Sequence, residues 1–219
     1  MKRIRLFSLD ISQADDALYE ACLPLISAER KRRADRYRFP ADKRRCVFSE
    51  MLLRYAYRQS GGDPFEMQIA YRKQGKPYLS SDESFHFNLS HAGDMIVLAS
   101  AADEVGVDVE KKDRMLDQER IGALIFTDEE RRFLAEASDA ERNERFFRLW
   151  TAKESYLKYL GTGLGTSAKR ASVDLVHHRL KENEEIYVTE TVLNEYIVTV
   201  CGKTDRLEYE SLALSDLRA

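Results

Sequence analysis

Residues 105–110 read Val-Gly-Val-Asp-Val-Glu. Three valines alternate with a glycine and two acids, the period of a strand with one face in a core. Val105, Val107 and Val109 are therefore expected to point inward, which gathers Gly106, Asp108 and Glu110 on the other face. Two carboxylates on one strand face form half of a site for a hard cation, and the glycine beside them leaves room for a ligand to approach. Plain solvation is the commoner reading of such a face, because Asp and Glu mostly sit in water.

Upstream, residues 85–91 read Phe-His-Phe-Asn-Leu-Ser-His. Phe85, Phe87 and Leu89 share one face of a strand and His86, Asn88 and Ser90 the other, with His91 just before a hairpin turn at Ala92-Gly93. Further strands are expected at Ile4 to Leu9, Met67 to Tyr71 and Met95 to Ala101, and Gly75-Lys76-Pro77 reads as a turn. Helical spacing starts near Gln13, and Ser27 can cap a basic helix that carries Arg30, Lys31 and Arg33. A longer helix follows Pro40, with Phe48, Met51, Leu52 and Tyr55 on its buried stripe, and stops at Gly61-Gly62.

Downstream, Thr127 and Glu130 have capping-box spacing after Phe126. A long helix is expected from about Asn143 to Leu160, ending at Gly161-Thr-Gly163, and strands near 171–175, 185–189, 196–201 and 207–212. Each half thus reads as helices followed by strands, which favours an α+β fold. On the long helix Phe146, Leu149, Trp150, Leu157 and Leu160 form an apolar arc, with Glu154 and Lys158 four residues apart on its flank. A surface pair of that kind contributes about 0.3–0.5 kcal/mol. The functional alternative makes Glu154 a third carboxylate for the cation. Lys153 falls inside the apolar arc and needs a buried partner.

Ser90 and His91 can donate to a phosphate, whereas a Ser-His pair without a placed acid is poor support for a nucleophilic triad. The stretch from Arg30 to Arg45 is densely basic, within a chain of 219 residues and net charge -3. Glu29, Asp35 and Asp42 interrupt the run and no nucleic-acid-reading motif is present, so a local phosphate pocket is favoured over a duplex-binding surface. The 3 cysteines, Cys22, Cys46 and Cys201, lie far apart and suggest neither a disulfide framework nor a zinc knuckle. The basic start lacks the apolar core of a signal peptide, and the longest apolar run is too short to cross a bilayer. A cytoplasmic protein with no membrane partner is expected.

The motifs Gly75-Lys76-Pro77, Phe87-Asn88-Leu89-Ser90-His91, Gly106-Val107-Asp108-Val109-Glu110, Phe126 with Glu130, Trp150-Thr-Ala-Lys153-Glu154-Ser-Tyr-Leu-Lys158 and Gly161-Thr-Gly163-Leu164 occur in that order. Together they resemble the large, single-chain 4′-phosphopantetheinyl transferases of the surfactin-synthetase-activating type. No one motif would suffice, and their order and spacing carry the resemblance from about Ser27 to Leu164.

The resemblance implies a pseudo-dimer of two similar α+β halves, each a small, mostly antiparallel sheet packed against a long helix, with coenzyme A between them. The halves would be residues 1–103, holding the nucleotide, and 104–219, holding the metal ligands and docking the carrier. It further implies Mg2+ on Asp108, Glu110 and Glu154, catalytic roles for Glu154, Glu110 and Lys158, and coenzyme A contacts from Arg30, Arg33, Arg45, Lys76, Ser90, His91, Asp108 and Lys158. Arg45 and His91 match holders of the 3′-phosphate, and Arg30 and Arg33 stand where the family often has basic residues. The implied partner is an apo acyl or peptidyl carrier protein, met by a monomer near Gly161 to Leu164, with no nucleic acid involved. A catalytically silent coenzyme A or nucleotide-binding protein, a nucleic-acid-binding module and a metal-dependent phosphohydrolase are the competing readings.

Overall fold

A computed structural model describes residues 2–113, 117–163, 169 and 171–218. The first part of the chain runs β1 (Ile4–Asp10), α1 (Asp16–Cys22), α2 (Ala28–Asp35), α3 (Pro40–Gln59), β2 (Ile69–Tyr71), β3 (Pro77–Leu79), β4 (His86–Ala92) and β5 (Met95–Ala101). The second runs β6 (Gly106–Lys111), α4 (Gln118–Ile125), α5 (Asp128–Ala135), α6 (Asp139–Leu160), β7 (Val173–Asp174), β8 (Arg179–Leu180), β9 (Asn183–Leu193), β10 (Tyr196–Gly202) and β11 (Leu207–Leu212). Among the described residues no helix is long and apolar enough to cross a membrane.

One sheet has the order β11-β1-β5-β4 and the other β6-β10-β9-β8-β7, with β2 and β3 pairing apart. All described strand pairs are antiparallel except β1 with β11. The period-2 pattern sorts each strand's side chains between two cores. Phe7, Leu9, Ile96 and Leu98 pack with Val47, Phe48, Met51 and Leu52 of α3. Their neighbours Leu6, Val97 and Ala99 pack with Val105, Val107, Val109, Val198 and Val200 of the other sheet. Ile197, Cys201, Ile186 and Val188 face Phe146, Phe147, Leu149 and Ala152 of α6. The layers therefore run α3, sheet, sheet, α6, an α+β arrangement with the two sheets against each other in the middle.

The valines of 105–110 face the expected core, but the opposite face is not solvated. Asp108 and Glu110 are each 5% exposed, because α6 lies across them. Gly106 admits that helix rather than a ligand: a Cβ there would stand 2.0 Å from the Ser155 carbonyl oxygen and 2.4 Å from the Tyr159 nitrogen. The edges β4 and β6 meet through side chains, with Val107 N donating to Asn88 Oδ1 at 2.9 Å and Ser90 Oγ donating to Asp108 Oδ1 at 2.9 Å.

Helix α6 starts earlier than its apolar spacing suggests, at Asp139, where Glu141 Oε2 accepts from Ser138 N at 3.3 Å and Oγ at 2.8 Å. It stops at Gly161, whose φ of 68° is left-handed and whose N–H turns back to the Leu157 and Lys158 carbonyls. Helix α4 was not expected from the sequence. Strand β11 departs most from the expected division at residue 103, since it lies parallel to β1 and Leu212 and Leu217 join the core under α3.

Gly106→Ala tests the strand–helix contact. The obstruction is helix backbone, which cannot swing aside, so overpacking is expected to cost about 3 kcal/mol. In a domain of this size that lowers the melting temperature by roughly 6–12 °C. An unchanged urea midpoint would show that α6 does not sit this close.

Candidate active site

Strand β6, helix α6 and strand β4 deliver the acids, the lysine and the serine to one place. Lys158 does not pair with Glu154 along the helix. It reaches across the junction, with Nζ 2.6 Å from Asp108 Oδ1 and 2.8 Å from Ser90 Oγ. Asp108 Oδ1 thus receives both the ammonium and the Ser90 hydroxyl. Asp108 Oδ2 and Glu154 Oε1 are buried and have no hydrogen-bond partner among the described residues. Burial first, and then the charges of Asp108 and Glu110, push the Glu154 carboxyl from its usual 4.5 up to about 7, against the pull of Lys158.

Glu110 is held by a residue that sequence reading placed only in the apolar arc: Trp150 Nε1 donates to Glu110 Oε1 at 2.9 Å. A Trp four residues before Glu154 was the available signal. Lys153 finds its buried partner in Glu130, with Nζ 3.0 Å from Oε2, and it also donates to the Ala171 carbonyl. Burial holds this ammonium below the ordinary lysine value despite Glu130. Glu130 also accepts from Thr127 N at 2.8 Å and Val173 N at 2.8 Å, so one carboxylate joins the start of α5, the middle of α6 and β7. This buried pair fixes the helix that carries Glu154 and Lys158.

Four of the eight expected coenzyme A contacts, Arg30, Arg33, Arg45 and His91, line a cleft of about 290 Å3 together with Tyr37, Tyr71 and Cys46, whereas Lys76, Ser90, Asp108 and Lys158 lie outside it. Arg45 donates to Asp42 Oδ1 at 2.5 Å and to the Gly93 carbonyl at 3.0 Å. The protein around His91, and then the charges of Arg45 and Lys158, hold its imidazole below the ordinary histidine value, although the ring reaches solvent. Convergence of three arginines on so small a space suits a compact anion rather than a duplex.

A second cleft of about 210 Å3 shares Gly75, Pro77 and Leu89 with the first and continues to Glu154, Lys158, Gly161 and Gly163. Lys76 lines it, but its ammonium is engaged by Glu104 Oε2 at 2.7 Å and by the Val105 and Tyr159 carbonyls at 3.1 Å. Lys76 is thereby a tie from the β2–β3 turn to the start of β6 and the end of α6. Leu164, expected at the carrier surface, lies outside the described residues.

A basic anion cleft that leads to buried carboxylates and a lysine is the arrangement of an enzyme acting on a phosphorylated nucleotide. Residues 104–211 match the 4′-phosphopantetheinyl transferase superfamily, and residues 13–103 match the 4′-phosphopantetheinyl transferase N-terminal family. The 4′-phosphopantetheinyl transferase psf-1 of Bacillus pumilus is 34% identical over 168 residues, spanning 74% of this chain and 70% of its own. A 4′-phosphopantetheinyl transferase of Bacillus subtilis is 31% identical over 165 residues, with the same coverage. The L-aminoadipate-semialdehyde dehydrogenase-phosphopantetheinyl transferase of Xenopus laevis is 28% identical over 235 residues, spanning 94% of this chain and 77% of its own. This chain belongs to the 4′-phosphopantetheinyl transferase superfamily.

The crowding of Glu154 has a thermodynamic signature in protein freed of divalent cations. A carboxyl whose folded pKa lies above its unfolded value binds its proton more tightly in the native state. Its stabilising contribution is therefore complete below about 4.5 and is lost as pH climbs through about 7. Glu154→Gln cannot ionise, so in chelator it is expected to melt a few degrees above wild type near about pH 8 and level with it near about pH 4. Parallel melting curves across that range would place Glu154 in water.

Proposed function

We propose that this phosphopantetheinyl transferase is a magnesium-dependent holo-carrier-protein synthase. It moves the 4′-phosphopantetheine of coenzyme A to a serine of an apo acyl or peptidyl carrier protein and releases 3′,5′-ADP. The observation that supports the metal reading is the pair of buried carboxylate oxygens on Asp108 and Glu154, beside Glu110, that have no hydrogen-bond partner among the described residues. An all-oxygen donor set is what a hard divalent cation takes, and magnesium uses one or two carboxylates completed by water and substrate phosphates. Among the described residues no three acidic, His or Cys side chains form a ready metal cage. Asp108, Glu110 and Glu154 would hold the ion, which supplies charge neutralisation on the diphosphate.

The chain's own groups do the remaining work. Arg45, His91, Arg30 and Arg33 bind the 3′-phosphate end in the first cleft, which runs toward Ser90 and Lys158. Lys158 offers its ammonium to the phosphate oxygens, and Ser90 donates a hydrogen bond. The carrier serine oxygen bonds to the β-phosphorus as the bridge to the nucleotide breaks, and the serine proton passes to Glu154 or Glu110, directly or through water. The nucleotide half would end near residue 103 and the metal-bearing, carrier-docking half would follow it. Both clefts are lined by residues of one chain, which supports action as a monomer, and the proposal includes a cytoplasmic setting with neither nucleic acid nor membrane as partner.

Mass spectrometry of an apo carrier incubated with enzyme, magnesium and coenzyme A is expected to show one added phosphopantetheine on its serine. Glu154→Gln should lose turnover by at least about a hundredfold and regain only part of it across a magnesium series, since an amide is both a poorer ligand and no base. Full recovery at high magnesium would leave Glu154 as a ligand alone, and near-normal turnover at low magnesium would remove it from the site.

Arg45→Ala is expected to weaken coenzyme A by about tenfold or more while dephospho-coenzyme A changes little, the loss of a charge-assisted hydrogen bond being about 1.5–3 kcal/mol. Equal weakening of the two ligands in calorimetry would move the 3′-phosphate away from Arg45.

A further inference from the structure

Glu50 lies in the middle of α3 with its side chain wholly buried. An ionised carboxylate there is costly unless its lone pairs are answered. Five donors answer them. Ser27 N and Oγ lie at 2.6 and 2.9 Å, Arg30 Nε at 3.2 Å, and Arg54 Nε and Nη2 at 3.1 and 2.9 Å. Ser27 is the cap of α2, its Oγ accepting from Arg30 N at 3.1 Å, so the same carboxylate holds both the start of that helix and the side chain one turn along.

The way Arg30 is held matters more than the pairing itself. Arginine–carboxylate pairs are frequently bidentate, two guanidinium nitrogens being spent on the carboxylate. Arg30 instead donates through Nε, the inner nitrogen, and among the described residues its Nη groups meet only the Cys46 sulfur, 4.0 Å from Nη1. Cys46 and Arg30 both line the cleft with Arg33, Arg45 and His91. The far edge of the guanidinium is thus left for a ligand. Arg54, the second cation on Glu50, stands outside this cleft and donates to the Pro64 carbonyl at 2.6 Å.

We infer that Glu50 is a positioning residue for nucleotide recognition: by gripping Arg30 at Nε and fixing the α2 cap, it aims the guanidinium fork at a phosphate monoester in the cleft. This rests on the reading of that cleft as the 3′-phosphate end of coenzyme A. The burial of Glu50 does not by itself require an arginine at the cleft wall, since Ser27 and Arg54 already supply four of its five donors.

The test is the ratio of affinities for coenzyme A and dephospho-coenzyme A, measured by calorimetry on folded full-length protein. A purely structural role for Glu50 would weaken both ligands alike and leave the ratio unchanged. Glu50→Gln is expected to lower the ratio about tenfold, the loss of one well-aimed charge-assisted hydrogen bond. Arg30→Ala should lower it at least as far, and the double variant no further than Arg30→Ala alone, because Glu50 acts through Arg30. Additive losses in the double variant, or an unchanged ratio in Glu50→Gln, would overturn the inference. If Arg30→Ala itself leaves the ratio at the wild-type value, the reading of the cleft fails with it. Should Glu50→Gln not fold, Glu50→Asp decides: it keeps the charge but withdraws it by one methylene, and a wild-type ratio there would also refute the assignment.

Discussion

A strand at the edge of a sheet exposes N–H and C=O groups that must be answered, and where the two halves meet β4 answers β6 with side chains instead of a backbone ladder. Asn88 accepts from Val107 N, and Ser90 donates to Asp108. Because polar side chains form this seam, the junction supplies functional groups at the place where most of the surrounding structure is apolar. Above it Lys158 comes from α6, and below it the valines of β6 seal the two sheets together. The layers, the clefts and the acid cluster all take their positions from this contact.

The site is held in electrostatic tension. Asp108 and Glu110 lie under α6, which carries Glu154 and Lys158, the latter bonded to Asp108, and among the described residues Asp108 Oδ2 and Glu154 Oε1 have no hydrogen-bond partner. That arrangement opposes folding locally, and the rest of the domain offsets it through three apolar cores and the Lys153–Glu130 anchor. The proposed cation would relieve that tension by its charge, and a polyanionic substrate would complete the ligand set.

Much of this was legible in the sequence because period-2 and helical spacing report which face is buried. The valines of β6, the stripe of α3 and most of the apolar arc of α6 were read correctly on that ground, whereas Leu160, expected at the end of that arc, is exposed. What periodicity does not report is what lies across a buried face. Asp108 and Glu110 looked like a half-solvated strand face, and only the helix packed on Gly106 shows why they are buried. The pairing of Lys158 with Asp108 rather than Glu154, and of Lys153 with Glu130, joins residues from distant parts of the chain, which helix spacing cannot rank against a local partner. Trp150 was assigned to the apolar arc by its helical spacing, yet its indole N–H serves Glu110. Helix α4 was missed, and α6 was started late because its first turn carries charge in place of an apolar stripe.

Strand β11 has a consequence for how the molecule comes into being. It sets Leu207 beside Ile4 and Leu212 beside Leu9, so the first sheet gains its last strand from residues far along the sequence from β1. During synthesis β1 emerges with one flank still open, and that flank is closed only once residues 207–212 have been translated. Such a pairing is slow, because a long loop is closed before any contact rewards it. Until then β1 presents an unpaired edge to other emerging chains, a window in which a chaperone or a low growth temperature favours the correct pairing over aggregation.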